Sequence, residues 1–466
     1  RAEYSRLKIM KFKNNIRFLL ILSTIMILSG CSKNETTTNV NGEVDVSETS
    51  SETTKDNDIE NSMPVYDYKN LPVSNAPSTK EFDSYYKNLL NERDRICYDE
   101  IYNAAENYQD ELVLSKSITP ESLKHIMNII YLDTPELYML EPHYAYDTDT
   151  NGTVYKVYLK YCFEKEFRET FNEAFLSNTT MKISEFKNQE TQYDLELAIA
   201  ETLETTFYSN DIELDDFSGK NPENSILTPA MQYSGNSIAI AKLFNYYCRK
   251  SGLNSALLVG EIIDTNYAKN IELKLNDYKP LDEVYIETVD GSHIDVDVDY
   301  SGFYAWNIVE LNDKWYHVDV PFYLQFFKTS GLESLSIENL RVLLNVDDYT
   351  ISQSRLFFIN EEILGLIPEC NEKIFQTFYR QGDYILNYND SQIATAMNVK
   401  LNELVETKPN EKIYQFGSEE TYNLFVKKFD SIIKNYNENN GNVIQNYDIV
   451  ENKAMLCIVL KNLLYY

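Results

Sequence analysis

The stretch WNIVELNDKWYHVD, residues 306–319, decides the fold because two runs of strand-forming residues flank a short polar turn. Alternation with a period of two is typical of a β-strand, and Asn312-Asp313 lies where a hairpin turn is expected. The stretch and its flanks therefore predict two antiparallel strands, Phe303–Leu311 and Lys314–Val320.

Two more strand-forming runs lie upstream, at Val284–Val289 and Ser292–Asp299. They flank Asp290-Gly291, a dipeptide that is among the strongest short-range hairpin signals. A third turn, Tyr300-Ser301-Gly302, joins them to the first hairpin. The four runs together predict an antiparallel meander.

Helices are predicted before this meander. Gln189–Ser209 and Asn236–Ser251 have helical patterns, and Gly252 is the residue expected just after a helix C-terminus. Ala256–Ile262 follows as a short apolar strand. Helices followed by an antiparallel sheet predict the α+β class.

Three positions on these elements carry a family resemblance. Ser237 lies at the start of the second helix, Tyr304 directly precedes an Ala-Trp-Asn run, and Asp319 ends a Trp-Tyr-His-Val-Asp run. With these runs, residues 185–325 resemble a bacterial transglutaminase-like domain, whose segments read roughly Gly-x-Cys-x-x-Tyr-Ala, His-Ala-Trp-Asn and Trp-Tyr-His-Val-Asp. The resemblance implies a papain-like fold and a Cys-His-Asp triad, with Ser237 and Tyr304 in the places of Cys and His.

These two replacements affect both the nucleophile and the base. A thiol attacks as a thiolate, which a helix N-terminus and a nearby base favour. The hydroxyl of Ser237 is a far weaker acid and needs a strong base within hydrogen-bond reach. The phenol of Tyr304, with an ordinary pKa of about 10, is neutral at pH 7 and accepts protons poorly.

Further residues are expected near this site. His317 is an alternative base, although a histidine also belongs to the usual strand pattern of the family. We expect Trp306, Trp315 and His317 to line the cleft. The alternating run Asp295–Asp299 lacks the glycine and the distal acid of a calcium loop and is typical of a half-buried strand. We therefore expect no metal and no cofactor.

The first 66 residues predict an export signal and a tether. Within residues 1–30, where Met10 is the expected start, a basic segment precedes the apolar segment Phe18–Leu28, which is too short to span a bilayer. The run that ends at Cys31 resembles the lipobox of bacterial lipoproteins, which implies a lipid on Cys31 and a location on the extracellular face of the cell membrane. Residues 31–66 are polar and predict a disordered tether.

Two small α+β units are expected to flank the central domain. Residues 78–180 predict a helix from about Ser78, a strand, a helix that begins at Thr119-Pro120 and a strand pair. Residues 326–466 repeat that order, with Lys412–Phe416 as the first clear strand. The sequence leaves open whether the two units form a true structural repeat.

The net charge limits the possible partners, and the cysteines bear on disulfide formation. Residues 1–30 hold six of the 42 basic and one of the 73 acidic side chains, so their removal leaves a net charge near −36. Such a surface repels nucleic acid. Buried free thiols are favoured over disulfides for the five cysteines beyond Cys31, which are Cys97, Cys162, Cys248, Cys370 and Cys457. The 37 tyrosines fit either a glycan-stacking surface or a biased composition.

The preferred function hypothesis is a non-catalytic cell-surface lipoprotein that binds a peptide, cell-wall or protein partner through the degenerate domain. The alternative is an active acyltransferase or peptidase that acts on extracellular amide substrates through Ser237 and an unidentified base. A solute-binding lipoprotein is disfavoured because two large lobes joined by a hinge are not evident in the sequence.

Overall fold

The computed structural model describes residues 68–162, 165–208, 224–233, 235–262, 282–287, 292–300, 302–322 and 341–466. The predicted signal peptide, the lipid-bearing Cys31 and the tether lie outside the described residues. Within these ranges, no helix combines the length and the apolar character needed to cross a membrane.

Helices and mainly antiparallel sheets build the described part, which confirms the α+β class. The helices are α1 (Glu92–Glu106), α2 (Pro120–Asp133), α3 (Lys165–Phe186), α4 (Gln192–Tyr208), α5 (Ser237–Ser251), α6 (Asp348–Ser352), α7 (Phe358–Ile363), α8 (Thr377–Gln381), α9 (Ile393–Thr407) and α10 (Glu419–Asn440). The strands are β1 (Glu111–Ile118), β2 (Leu140–Thr148), β3 (Val154–Tyr161), β4 (Ser255–Ile262), β5 (Asp282–Glu287), β6 (His293–Asp299), β7 (Tyr304–Leu311), β8 (Lys314–Val318), β9 (Leu344–Val346), β10 (Arg355–Leu356), β11 (Tyr384–Ile385), β12 (Lys412–Phe416), β13 (Ile444–Asn452) and β14 (Cys457–Tyr465).

These strands form three sheets. The strand orders are β1-β3-β2-β6-β5, β10-β4-β7-β8-β9 and β11-β12-β14-β13. The second sheet is the central one, and α5 packs against its strands β4 and β7. One apolar core joins residues of the first and central sheets with the helices around them, and a second core fills the C-terminal part.

The hairpin predicted around residues 306–319 is confirmed as β7 and β8, which pair antiparallel. Its turn residues, Asn312 and Asp313, have φ angles of +54° and +59°. Positive φ at both central residues defines the type I′ turn, whose twist matches the twist of the flanking strands. The predicted helix that ends before Gly252 is confirmed as α5, and Gly252 has a φ of +91°.

A close approach between β4 and β7 depends on a glycine. Gly260 of β4 pairs with Tyr304 of β7. A Cβ atom at Gly260 would lie 2.1 Å from the carbonyl oxygen of Leu356 and 2.8 Å from the indole of Trp306. Only glycine lets the buried indole lie against this strand.

The predicted four-strand meander is wrong, because its strands divide between two sheets. β5 and β6 pair with each other, and β6 then pairs with β2 of the first sheet, whereas β7 and β8 belong to the central sheet. Tyr300, between β6 and β7, stacks on Tyr131 of α2 with ring centroids 4.9 Å apart. Its hydroxyl also donates to Asn128 at 2.6 Å. These contacts hold the end of β6 against α2.

The helix predicted to start near Ser78 is also wrong. The backbone N–H of Ser78 donates to the carbonyl of Gly252, and the chain first forms a 3₁₀ turn at Tyr86–Leu89. Helix α1 begins only at Glu92, where the side chain of Asn91 caps it. The hydrogen bond to the end of α5 outweighs the local capping signal at Ser78.

The two flanking units share one topology. The order α1-β1-α2-β2-β3 in the first unit matches α9-β12-α10-β13-β14 in the second. The three strands of each unit lie in the spatial orders β1-β3-β2 and β12-β14-β13, and all neighbouring strands in these orders pair antiparallel. The repeat that the sequence left open is therefore present at the level of topology.

Candidate functional site

The site with the family resemblance lies where the start of α5 meets β7. Ser237 is the first residue of α5, and the side chain of Asn236 caps the helix by accepting a hydrogen bond from the N–H of Ala239 at 3.0 Å. The Ser237 side chain is buried, and its Oγ accepts a hydrogen bond from the N–H of Ala305 at 3.2 Å. The serine hydroxyl thus ties α5 to the strand that carries Tyr304.

Tyr304 is directed toward Asp319. Its hydroxyl donates to Asp319 Oδ1 at 2.7 Å, and the residue is buried. Burial, and after it the charge of Asp319, raises the pKa of the Tyr304 phenol well above its ordinary value. The phenol therefore keeps its proton, and a donor occupies the position that a base would need.

The two residues are not cross-strand neighbours. β8 ends at Val318, which pairs with Asn307 of β7, so Tyr304 and Asp319 do not face each other across the two strands. The length of the tyrosine side chain brings its hydroxyl to the carboxylate. The shorter imidazole of a histidine at this position would reach less far from the same backbone.

Arg355 completes the network and was missed in the sequence. Its Nε and Nη2 atoms both donate to Asp319 Oδ2, at 3.0 and 2.7 Å. The arginine is 1% exposed and Asp319 is fully buried. Burial alone would lower the pKa of the guanidinium, but Asp319 and Tyr304 raise it overall. In the sequence, Arg355 is marked only by its position directly before the apolar run at 356–359, which is a weak signal for a buried ion pair.

Both oxygens of the Asp319 carboxylate are used. Oδ1 accepts hydrogen bonds from the Tyr304 hydroxyl and from the N–H of Phe322 at 3.0 Å, and Oδ2 accepts both bonds from Arg355. The guanidinium also lies 4.9 Å from the ring centre of Tyr304 and 4.8 Å from that of Phe322. A buried charge needs this degree of pairing to be tolerated.

His317 is not placed to serve as the alternative base. The indole N–H of Trp306 donates to Nδ1 of His317 at 3.1 Å, so Nδ1 must be unprotonated. Nε2 then carries the proton and donates to Asp348 Oδ1 at 2.8 Å. Both ring nitrogens have partners other than Ser237, and the ring is fully buried.

His317, Asp348 and Cys370 form a potential metal-binding cluster, with one ligand atom from each lying within 4.8 Å of the others. Asp348 Oδ2 already accepts a hydrogen bond from the N–H of Cys370. Burial, followed by the charges of Asp348 and Asp347, raises the pKa of the Cys370 thiol and keeps it protonated. A metal would therefore have to displace the hydrogen bonds of His317 and deprotonate this thiol.

The expected cleft-lining residues differ in exposure. Trp306 and His317 are fully buried, so they belong to the core around β7 and β8. Trp315 is partly buried and packs edge-on against Tyr85, with ring centroids 5.4 Å apart. Of the three, only Trp315 offers surface to a partner.

The structure shows the environment of the acidic run Asp295–Asp299 and of the five cysteines. The alternating run Asp295–Asp299 forms the end of β6, with Val296 and Val298 buried and Asp297 and Asp299 exposed, as expected for a half-buried strand. All five cysteines of the described part are free and buried, which confirms the preferred interpretation. Cys248 lies eleven residues after Ser237 on α5, roughly 16 Å further along the helix axis.

No protein-family model matches this chain, and no curated protein is significantly similar to it.

Proposed function

We propose that this protein is a non-catalytic cell-surface lipoprotein whose central domain descends from papain-like transglutaminases. The observation that carries the proposal is the use of Asp319: its two oxygens are engaged by Arg355, by the Tyr304 hydroxyl and by a backbone N–H. An aspartate that orients a catalytic histidine must keep one oxygen for that histidine. Here the corresponding oxygen accepts a hydrogen bond from the Tyr304 hydroxyl.

The hydrogen bonds of Ser237 support the same conclusion. A serine nucleophile must give its proton to a base as it attacks. Tyr304 keeps its own proton, and both nitrogens of His317 are bonded elsewhere. Ser237 accepts the Ala305 N–H, which makes it a link between helix and strand.

Burial of the triad positions favours a scaffold or binding role that uses other surfaces. Ser237, Tyr304 and Asp319 are all buried, so this network contributes to the core. The peptide, cell-wall or protein partner of such a lipoprotein would then contact a different face of the molecule. The high negative charge of the chain argues against nucleic acid as that partner.

A serine-directed fluorophosphonate tests the absence of catalysis. The purified mature chain should remain unlabelled under conditions that label a known serine hydrolase in the same tube. Labelling that disappears in Ser237→Ala would overturn the proposal and favour the alternative, an acyltransferase or peptidase that acts on amide bonds.

The lipid anchor has its own test. Cells that express the chain in radiolabelled palmitate should yield a labelled, membrane-associated protein, because a diacyl anchor supplies the two chains that stable attachment needs. Cys31→Ala should lose the label and leave the membrane fraction. If the variant stays labelled, the anchor proposal fails and the conclusion about catalysis is unaffected.

A further inference from the structure

A groove of about 320 Å³ lies at the far end of α5 from Ser237. Its walls come from the last turns of α1, the 3₁₀ turn at Pro135–Leu137, the start of β2, the end of β3, the middle of α3 and the last turns of α5. Lys250, which lines it, is thirteen residues after Ser237, so the groove is roughly 20 Å from the triad positions along the helix axis. Its volume is within the range of small-molecule sites.

Tyrosines dominate the walls of this groove, and five line it: Tyr102, Tyr108, Tyr138, Tyr161 and Tyr246. Neighbouring elements hold several of these rings in place. The rings of Tyr108 and Tyr161 meet edge-on with centroids 5.9 Å apart, and the Tyr138 ring packs 4.4 Å from that of Phe175. Rings fixed in this way offer apolar faces and phenolic edges without a large loss of side-chain entropy on binding.

The polar groups of the groove are close to balanced in charge. Glu106 and Glu136 supply carboxylates, and Lys250 supplies an ammonium. Glu136 is compensated by Arg249, at 3.4 Å, and Lys250 by Glu81, at 2.8 Å. Glu136 and Lys250 therefore already have partners, and Glu106 is exposed to solvent. The arrangement thus favours a neutral ligand.

The lining of the groove contains both hydrogen-bond donors and acceptors. The Tyr138 hydroxyl donates to Asn172 Oδ1 at 2.6 Å, which leaves the amide N–H groups of Asn172 to act as donors. The hydroxyl of Tyr102, near Glu106 and Glu136, makes no hydrogen bond to another described residue. The groove thus offers amide and phenol donors beside carboxylate acceptors.

From this combination we propose that the groove is a binding site for a neutral saccharide. A sugar ring has an apolar C–H face that fits a tyrosine ring and a rim of hydroxyls, each of which can both donate and accept. The volume of the groove is that of about ten molecules of liquid water, which suits a single sugar ring of a longer chain. This site is independent of the degenerate triad.

Isothermal titration of the mature chain with three probes tests the proposal: an N-acetylglucosamine trisaccharide, cellotriose and choline. We expect at least one trisaccharide to bind with a Kd of about 1 mM or tighter. Binding by choline alone would assign the groove to cations, and binding by none of the probes would also overturn the proposal.

A blocking variant places the binding in the groove. Leu176 of α3 lines it and is 44% exposed, so Leu176→Trp fills the groove from an exposed position without removing a core residue. Affinity for the trisaccharide should fall about tenfold or more. Met181→Trp, at a 62% exposed position on the same helix outside the groove, should bind like the parent.

A second variant covers the case in which Leu176→Trp folds poorly. Glu106→Gln changes an exposed acceptor of the groove and should weaken trisaccharide binding several-fold, while Glu92→Gln, at an exposed position on the same helix, should not. Unchanged affinity in both groove variants, with thermal unfolding like that of the parent, would show that the saccharide binds elsewhere and would overturn the assignment.

Discussion

Helix α5 begins and ends in two contrasting environments. At its start, Ser237 is buried and hydrogen-bonded to the strand that carries Tyr304, next to a carboxylate that Arg355 neutralises. At its end, Tyr246 and Lys250 line an open groove whose walls contain both aromatic rings and polar side chains. The family resemblance points to the first environment, whereas the features of a ligand site occur in the second.

A sequence resemblance and the features of a ligand site can therefore mark opposite ends of one helix. In the first environment, buried hydrogen bonds join Tyr304 to Asp319 and Ser237 to the backbone of Ala305. Such a network stabilises a fold only while every member has its partner. The groove has no such requirement, so substitutions at the two ends of α5 should affect different properties.

The largest expected effect comes from Arg355→Met. This change leaves the Asp319 carboxylate buried without its partner, and breaking a buried ion pair in this way costs about 3–5 kcal/mol. Denaturant unfolding of the parent and the variant measures the loss. Arg95→Met, at an exposed position of α1, is the control and should change the free energy of unfolding by less than about 0.5 kcal/mol. A loss below about 1 kcal/mol in Arg355→Met would mean that the network is dispensable.

Lys242, midway along α5, should give the next largest effect, which appears as a pH dependence. Burial lowers the pKa of its amine from 10.5 to about 7, and the amine lies 3.8 Å from the ring centre of Tyr131. Between pH 7 and 10.5 the unfolded chain therefore holds more protons at this residue, so stability rises with pH.

Lys242→Met should remove that rise. The free energy of unfolding of the variant, minus that of the parent, should shrink by roughly 3 kcal/mol between pH 7 and 9.5. Lys434→Met, at an exposed position of α10, should show a constant difference over the same range. A constant difference for Lys242→Met would contradict the burial of a neutral amine in the middle of α5.

Tyr304→Phe tests a single hydrogen bond of the network. The ring and its packing remain, but Asp319 Oδ1 loses one donor, which should cost about 1–2 kcal/mol. Tyr155→Phe, at an exposed position of β3, is the matched control and should be nearly neutral. Equal unfolding free energies for the two variants would indicate that the phenol does not stabilise the carboxylate.

The smallest expected effect is on the groove side of the comparison. Leu176→Trp should leave the free energy of unfolding within about 0.5 kcal/mol of the parent, because the Leu176 side chain is 44% exposed. The same denaturant experiment measures it. A loss of more than about 2 kcal/mol would make the groove part of the core and would blur the contrast between the two ends of α5.

Local patterns in the sequence predicted the elements around the first environment. The hairpin turn at Asn312-Asp313, the start of α5 after Asn236 and its end at Gly252 are all determined by residues close in the chain. Alternation along the strand also predicted that Val296 and Val298 are the buried residues of β6. Signals of this kind need no knowledge of the rest of the fold.

Long-range contacts explain what the sequence did not reveal. β6 pairs with β2, about 150 residues earlier in the chain, and no turn signal specifies such a pairing. Arg355 follows Asp319 by 36 residues and has no motif of its own. The lining of the groove comes from helices, strands and a turn that are far apart in the chain, so its tyrosines are indistinguishable in the sequence from the others.

Ser237, Tyr304 and Asp319 belong to a network of buried hydrogen bonds, and iodoacetamide alkylation of the double variant Ser237→Cys with Tyr304→His measures whether this network leaves room for a reactive thiol. Asp319 remains bound to Arg355, and burial disfavours a thiolate. We therefore expect the new thiol to react with a midpoint at or above the ordinary thiol pKa of about 8.5. Rapid alkylation of the folded variant with a midpoint well below that pKa would show a working thiolate–imidazole pair and would contradict a purely structural role for these three positions.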